Sequence, residues 1–371
     1  MMGPYTLLAV GDLVLPADAG PFFDDVRETL KQGDVVIGQL EVPYTERDEH
    51  AVSLGRVPDS LRPLKDAGFH VLTMAGNHLM DAGPAGIEDT IRWLELNGIG
   101  HVGAGMNLEE ACKPYLMTRG KTRFGFLNYN CVGPKETWAG PHKPGNAYIH
   151  VITHYEETYA SPGGPPSSIY TWALYSSIRQ MEEDIRKLRS QCDVLTVSFH
   201  KGIGHIPVKI AQYEHEVSYA AIDAGADVVF AHHAHILKGI EVYKGKPIYH
   251  GLCNFVTYVP AEAFHHNQNL PASWAKKRKE LFGFEPDPEY PTYPFHPEAI
   301  HTMIAKCTIE NGRITSAGYI PCLITKEGKP VIARKEEHFW QVFNYVERIS
   351  REAGLDTRFE RAGHEVRIVL D

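Results

Sequence analysis

The sequence predicts a layered α/β fold, and three observations support this prediction. Short apolar runs of strand length alternate with amphipathic stretches of helix length along most of the chain. The chain has 371 residues, of which 43% are hydrophobic and 22% charged, so it can bury a sizeable core. Polar side chains with metal-ligating atoms follow several predicted strands, which is where ligands bind in open α/β sheets.

The predicted elements alternate from the start of the chain. Apolar runs predict strands at residues 5–12, 35–41, 70–78, 123–130, 193–200 and 227–235, and a hairpin at 240–255. Apolar spacing, with Pro and Gly near the ends, predicts helices at 22–32, 60–68, 84–98, 176–191 and 212–225. Residues 301–371 predict a pair of strands joined at an Asn-Gly turn, a helix near 336–353 and a last strand.

Two long stretches, 133–172 and 258–300, interrupt this alternation. Both are rich in Pro, Gly, Tyr, His and Trp. Long irregular segments inside a compact domain are usually functional. We therefore expect these stretches to be ordered lids over a binding site.

Charge and cysteine usage exclude some classes of protein. The net charge of -9 and the pI near 6.1 argue against a partner that is a nucleic acid or an anionic membrane. The six cysteines are scattered and form no C-x-x-C pair, which indicates a reducing compartment. We find no signal-peptide pattern and no run of about 18 apolar residues. We expect a soluble cytoplasmic protein, and the sequence does not indicate its oligomeric state.

Potential metal ligands cluster at the carboxyl ends of the predicted strands. Each has a plainer explanation when taken alone: an Asp can cap a helix, and an Asn can hold a left-handed turn. Carboxylate, amide oxygen and imidazole together suit a divalent ion such as Mn, Fe, Zn or Mg. Their coincidence at strand ends therefore predicts a metal centre. The residues are Asp12, Glu41, Asn77, His78, His200, His233 and His235.

Several motifs resemble those of one family, the CapA or poly-γ-glutamate capsule synthesis family of the calcineurin-like metallophosphoesterase superfamily. The resemblance runs in order over about residues 5–325, and it leaves out the C-terminal tail and the two lids. It implies a four-layer αββα sandwich. We expect the lids to be insertions in one domain of residues 1–330, and a C-terminal helix and strand at 331–371 to pack on the same domain. The motifs are GDLVL (11–15), QLEVP (39–43), GNHLMDAG (76–83), FHKG (199–202), AHHAH (231–235) and PIYHGLCNF (247–255).

The resemblance also implies roles for the clustered residues. One or two divalent ions, most readily Mn, Fe or Zn, would occupy two positions that share one carboxylate. The ligands would be Asp12 and His235 at one position, Asn77, His200 and His233 at the other, and Glu41 between them.

Three further residues receive roles from the same resemblance. His78 would act on the substrate as an acid or an electrostatic donor, and Asp81 would orient it. Asn254 would line the site as a substrate-binding residue.

The sequence departs from the family pattern at several positions. Val14 stands where the superfamily usually has a His, so one metal position loses a nitrogen ligand. Lys201 replaces an aromatic residue, and His205 lies near the position of a Tyr, so both are candidates for contact with substrate. His232 is an additional histidine, and strand alternation predicts that it faces away from His233.

Three functions remain open. The first is a metal-dependent hydrolase, in which a metal-activated hydroxide attacks a phosphoester or amide of a small or peptidic substrate. The second is an epimerase or lyase that moves a proton beside a metal-bound carbonyl, with His78 and His205 as bases. The third is a non-catalytic protein of polyglutamate capsule synthesis. Members of the family are typically membrane-anchored and no anchor is found here, which favours a small or peptidic substrate.

Overall fold

The computed structural model describes residues 4–156, 168–260 and 279–370, in which the strands and helices alternate as the sequence predicts. The strands are β1 (Tyr5–Val14), β2 (Val35–Leu40), β3 (Val71–Thr73), β4 (Gly100–Val102), β5 (Ala104–Gly105), β6 (Tyr115–Arg119), β7 (Thr122–Asn130), β8 (Gly145–Asn146), β9 (Val151–Glu156), β10 (Ser168–Ala173), β11 (Val194–Lys201), β12 (Val228–His233), β13 (Ile240–Tyr243), β14 (Lys246–Tyr249), β15 (Asn254–Thr257), β16 (His301–Glu310), β17 (Arg313–Ile324), β18 (Pro330–Ile332), β19 (Phe359–Ala362) and β20 (Glu365–Ile368).

The helices connect these strands and cover the outer faces of the sheets. The α-helices are α1 (Arg27–Leu30), α2 (Glu49–Ser53), α3 (Arg62–Asp66), α4 (Gly83–Leu96), α5 (Leu108–Ala111), α6 (Tyr175–Arg189), α7 (Gln212–Ala224) and α8 (Glu336–Glu352). Short 3-10 helices cover Gly20–Phe23, Pro58–Leu61, Lys135–Thr137 and Pro297–Ile300. Among the described residues, no helix is both long enough and apolar enough to span a membrane.

Two sheets form the centre of the fold. The first has the order β19-β20-β17-β16-β1-β2-β3-β4, with β15 also beside β1 and β18 beside β17. The second has the order β13-β14-β12-β11-β7-β6. β1 to β4 and β15 run parallel, as do β7, β11, β12 and β14, so the carboxyl ends of each parallel set meet at one edge.

Apolar side chains separate the fold into four layers. Leu7 of β1 and Val194 of β11 belong to a core between the two sheets, whereas Leu8 points to the outer face, where α4 contributes Ile87. On the other side, α6 and α7 cover the second sheet, for instance through Ile185. The predicted αββα sandwich is therefore confirmed.

Some predicted elements differ from those observed. The predicted helix at 22–32 is a 3-10 helix and the short α1, and β3 ends at Thr73 rather than at residue 78. The predicted hairpin at 240–255 contains β13 and β14, but Asn254 begins a strand that pairs with β1 in the other sheet. The predicted lids at 133–172 and 258–300 lie partly outside the described residues.

A close approach of two backbones makes this crossover possible. The Asp12 N–H donates to the Cys253 carbonyl oxygen at 3.0 Å. A Cβ atom at Gly11 would lie 2.1 Å from that same oxygen, so no larger residue fits there. The register of β1 shifts between Asp12 and Leu13, which places the Asp12 side chain at the edge of both sheets.

The His70 side chain makes stability depend on pH. Its Nδ1 accepts a hydrogen bond from the Val36 N–H at 3.0 Å, so the folded state needs this nitrogen unprotonated. Burial and then the charge of Arg119 lower the pKa of His70 to about 4. The unfolded state, with a pKa near 6.5, binds more protons in this range, so the stabilisation is complete above about pH 6.5 and is lost towards pH 4.

We expect His70→Asn, whose amide oxygen can accept the same hydrogen bond, to remove this part of the pH dependence. Urea midpoints of the parent and the variant should be compared at pH 7 and pH 4.5. The parent midpoint should fall more than that of the variant between the two values. If the urea midpoints of the two proteins fell equally, protonation of His70 would not contribute to the pH dependence of unfolding.

Candidate metal centre

The structure brings all six predicted metal ligands together at the edge where strand ends of both sheets meet. The first sheet supplies oxygen donors and the second supplies nitrogen donors. The oxygen donors are Asp12 in β1, Glu41 directly after β2, and Asn77 in the loop after β3. The nitrogen donors are His200 in β11, His233 at the end of β12, and His235 two residues later.

Glu41 lies between the nitrogen donors. Its Oε1 is 3.3 Å from His235 Nε2 and 3.9 Å from His200 Nε2, yet this oxygen is buried and accepts no hydrogen bond. Burial raises the pKa of Glu41 to about 7, and the positive charge of His78 opposes the rise. The position of Oε1 fits the shared carboxylate that the sequence predicts.

His200, Asn77 and His233 form a second group of donors. His200 Nε2 is 2.8 Å from Asn77 Oδ1, and the rings of His200 and His233 lie 4.9 Å apart between centroids. Burial and the neighbouring His233 hold the pKa of His200 well below its usual value. Burial lowers the pKa of His233 to about 3. Both rings are therefore neutral, which is the form that ligates metals.

Asp12 is completely buried, and its side chain is only partly satisfied. Its Oδ2 accepts a hydrogen bond from the His233 N–H at 3.0 Å, whereas its Oδ1 has no partner. His235 Nδ1 lies 3.7 Å from Oδ2. Burial, followed by the charge of Glu41, holds the pKa of Asp12 well above its usual value.

A hydrogen-bond chain behind His235 orients its ring. The Tyr293 hydroxyl donates to the Ala299 carbonyl at 2.8 Å and so accepts from Asn254 Nδ2 at 3.0 Å. Asn254 Oδ1 is then the acceptor for His235 Nδ1–H at 2.8 Å. His235 Nε2 lies on the other side of the ring, 3.3 Å from Glu41 Oε1, which accepts no hydrogen bond.

The donor set fits a divalent cation. The three side chains Asp12, Glu41 and His235 have ligand atoms within 4.8 Å of one another. Asp12 Oδ1 and Glu41 Oε1 are buried without a hydrogen-bond partner, which is costly, and a metal ion would satisfy them. His233 and His235 have backbone φ values of 89° and 52°, which are unfavourable for residues other than glycine and typical of strained functional sites.

The centre opens into a cleft of about 450 Å³. His78, Asp81, His205 and Val14 all line it. The side chains of His78 and Asp81 are 43% and 41% exposed, so a ligand in the cleft can reach them.

Two of the predicted site residues lie behind the cleft rather than in it. Asn254 is fully buried and orients His235, so the expectation that it binds substrate is corrected to a positioning role. Lys201 is also fully buried, and its Nζ donates to Ser218 Oγ at 2.7 Å on the opposite face of β11 from His200. A substrate contact by Lys201 is therefore not supported. As the sequence predicts, His232 faces away from the centre, and its Nε2 lies 3.1 Å from the Val10 carbonyl oxygen.

Sequence reasoning missed several cleft residues. Arg56 follows the short helix α2, in a stretch without a recognisable motif. Phe282 and Phe295 also line the cleft and come from the predicted lid at 258–300, whose aromatic content was the signal available in the sequence. Their side chains make one wall of the cleft apolar.

A second histidine–carboxylate cluster lies away from the cleft, and its bonding argues against a metal. Glu241 Oε2 is 2.7 Å from His250 Nε2 and 3.2 Å from His215 Nδ1, and the Tyr219 hydroxyl donates to Glu241 Oε1. Lys201 Nζ lies 3.4 Å from His250 Nδ1 and already places a cation there. This cluster supplies a control for metal-binding experiments.

Comparisons with known proteins agree with the predicted resemblance. The sequence profile of the family "Bacterial capsule synthesis protein PGA_cap" matches residues 6–259. The capsule biosynthesis protein CapA of Bacillus anthracis is 26% identical over 242 residues, which are 63% of this chain and 53% of that protein. The PGA biosynthesis protein CapA of Bacillus subtilis is 28% identical over 263 residues, which are 69% of this chain and 60% of that protein.

The chain thus spans a little more than half of the length of these curated relatives. Among solved structures, the calcineurin-like phosphoesterase YfkN from Bacillus subtilis is similar with a TM-score of 0.36 and 11% identity. That similarity covers 94% of this chain and 97% of the other.

We expect Asp12→Asn and His233→Ala each to lower the metal content of the purified protein, because each removes a buried donor. The matched control is Glu241→Gln in the second cluster, which should retain the parent content. Inductively coupled plasma mass spectrometry after loading with Mn, Fe or Zn and gel filtration measures this. If only the Glu241→Gln control lost metal, the ion would lie in the second cluster, and the assignment of the metal centre to the cleft would be wrong.

We expect Asn254→Ala to weaken metal binding about 10–100-fold, the usual effect of removing a residue that orients a ligand. The reason is that His235 would lose the hydrogen-bond acceptor that orients its ring. Competition with a chromogenic chelator measures the affinity. Asn254→Asp, which keeps an acceptor oxygen, should bind at least as tightly as the parent, and equal affinity of the Ala variant would contradict the assignment.

Proposed function

Because the chain belongs to the bacterial capsule synthesis protein PGA_cap family and its cleft gathers unpaired oxygen and nitrogen donors, we propose that it is a metal-dependent hydrolase. Its substrate would be a small or peptidic molecule with a phosphoester or amide bond. The observation that carries the proposal is Glu41 Oε1, a buried carboxylate oxygen that accepts no hydrogen bond although it lies 3.3 Å from His235 Nε2 and 3.9 Å from His200 Nε2.

The donor types and their positions suggest how the ions would be held. Mn, Fe or Zn, in one or two equivalents, suits a mixed set of carboxylate, amide and imidazole donors. When bound, such ions neutralise charge on the reacting group and lower the pKa of coordinated water to near neutrality. Asp12 and His235 would serve one position, Asn77, His200 and His233 the other, and Glu41 both.

His78 is the residue of the cleft best placed to move a proton. Its Nδ1 lies 2.8 Å from Asp81 Oδ2, which orients the ring and leaves Nε2 available. Burial lowers the pKa of His78, but the hydrogen bond and charge of Asp81 outweigh it and raise that pKa to about 9. His78 therefore carries a proton at neutral pH and can donate it to a leaving oxygen or nitrogen.

Proton transfer without hydrolysis is the second candidate function. The presence of a second histidine, His205, in the cleft favours it. This residue also lines the cleft, and its ring stacks on that of His235 with centroids 5.7 Å apart. A second histidine in the same cleft as His78 could remove a proton beside a carbonyl, as an epimerase or lyase requires. A non-catalytic accessory role is the third candidate, because the relatives are named for capsule and PGA biosynthesis.

Two proposals concern organisation and location. β20 pairs with β17, so the C-terminal strands extend the first sheet, and we propose that residues 331–371 belong to the same unit as 1–330. The six cysteines are unpaired thiols, five of them buried, which favours a reducing compartment, and we propose the cytoplasm.

The test is turnover of phosphomonoester, phosphodiester and amide panels by metal-loaded protein in H₂¹⁸O. Hydrolysis places one ¹⁸O atom in the new acid group, which mass spectrometry detects. Deuterium at an α-carbon in D₂O would instead support the epimerase or lyase. Metal binding without either reaction would support the accessory role.

We expect His78→Gln to lower kcat about 10²–10⁴-fold, the usual contribution of a general acid, with metal content unchanged. His142→Gln is the matched control, because His142 is exposed and does not line the cleft. Full activity of the His78 variant on a substrate with a poor leaving group would rule out its role as the acid.

A further inference from the structure

Arg56 places an unpaired positive charge in the wall of the cleft. The residue is half-buried and lines the same cavity as His78 and His233. Within residues 4–156, 168–260 and 279–370, its guanidinium makes neither a hydrogen bond nor an ion pair. Arg47, by contrast, is bonded to Glu88 and Asp89 on the surface. Arg56 is therefore available to a ligand, whereas Arg47 is not.

The backbone of Arg56 is held firmly beside the metal centre. Its N–H donates to the Ala51 carbonyl at 2.8 Å, and its carbonyl accepts from the Thr45 N–H at 2.9 Å. Thr45 lies four residues after Glu41, so this hydrogen bond joins Arg56 to the loop that carries the shared carboxylate. Gly55, which precedes Arg56, has a φ of +69° and packs on Ala17, which fixes the turn.

The charge of Arg56 is not neutralised by a carboxylate of the cleft. Two carboxylates line the described part of the cleft, Glu41 and Asp81. Asp81 is bonded to His78, and neither carboxylate forms a hydrogen bond or an ion pair with the Arg56 guanidinium.

Apolar side chains also line the cleft, among them Phe282, Phe295 and Val259. A ligand that fits this lining has an anionic group for the guanidinium, a carbon skeleton for the rings and a reactive bond at the metal positions. A single guanidinium matches the two oxygens and the single charge of a carboxylate, which it can bind with two parallel hydrogen bonds.

We propose that Arg56 is a specificity residue that binds a carboxylate of the substrate next to the bond that is cleaved. This inference rests on the proposed function and narrows its substrate to carboxylic acids that carry a phosphoester or amide bond a few atoms from the carboxylate. Arg56 acts in recognition and takes no part in the chemical step.

The test compares two non-hydrolysable probes that differ only in the group meant for Arg56. They are 3-phosphonopropionate and its carboxamide, 3-phosphonopropionamide, which share the phosphonate for the metal positions. Isothermal titration calorimetry on metal-loaded protein gives both affinities for the parent, for Arg56→Met and for Arg62→Met. Arg62 is an exposed arginine outside the cleft and serves as the matched control.

In the parent, the carboxylate should bind about 10-fold or more tightly than the carboxamide, as expected for a charge-assisted hydrogen-bonded pair. This ratio should fall to about one in Arg56→Met and stay at the parent value in Arg62→Met. The affinity for the carboxamide and the metal content should be the same in all three proteins.

Three outcomes would overturn the proposal, and they are distinguishable. In the first, metal content and carboxamide binding are intact, but Arg56→Met keeps the parent ratio of the two affinities, or the parent itself does not prefer the carboxylate. This outcome rules out the role of Arg56 but leaves the hydrolase proposal standing. A lower metal content in Arg56→Met means that Arg56 supports the metal centre rather than a ligand. A parent that binds no metal overturns the hydrolase proposal and this one with it.

Discussion

The fold depends on keeping two carboxylates, Asp12 and Glu41, buried at the seam between the sheets. Both are almost fully inaccessible, and each leaves one oxygen without a hydrogen bond. Among the described residues, no lysine or arginine forms an ion pair with either carboxylate, and burial raises the pKa of both. A buried charge without a partner is costly, so the arrangement makes physical sense around a bound cation.

The surrounding backbone is shaped to hold the donors in place despite local strain. Gly11 lets β15 approach β1, and left-handed backbone at His233 and His235 turns both side chains towards the first sheet. Beneath these turns, Lys238 Nζ donates to Glu214 Oε1 at 3.3 Å and Lys201 Nζ to the Glu214 carbonyl. This buried network joins α7 to the strands that carry the histidines and stabilises the strained turns.

Much of this could be predicted from the sequence. The six candidate donors could be predicted from polar residues at the ends of apolar runs, because these runs and their ends are local features of the sequence. Alternation along β11 could also have shown that Lys201 points away from His200, just as it showed that His232 points away from His233. The role of Asn254 could not be predicted, because it follows from the crossing of β15 to the other sheet. Arg56 reaches the cleft only through tertiary contacts of an irregular segment.

The division of donors between the sheets links metal binding to the packing of the sandwich. Asp12, Glu41 and Asn77 belong to the first sheet, and every histidine ligand belongs to the second, so neither sheet alone forms the site. An ion bound across the seam would therefore favour the packed arrangement of the two sheets over any separated one, and would raise stability with the logarithm of the ion concentration once this exceeds the dissociation constant. Substitution of a proposed ligand would then lower stability together with the proposed activity. Arg56 lies outside the donor set, so a change in ligand selectivity at that position can be measured on a protein whose metal centre and sheet packing are intact.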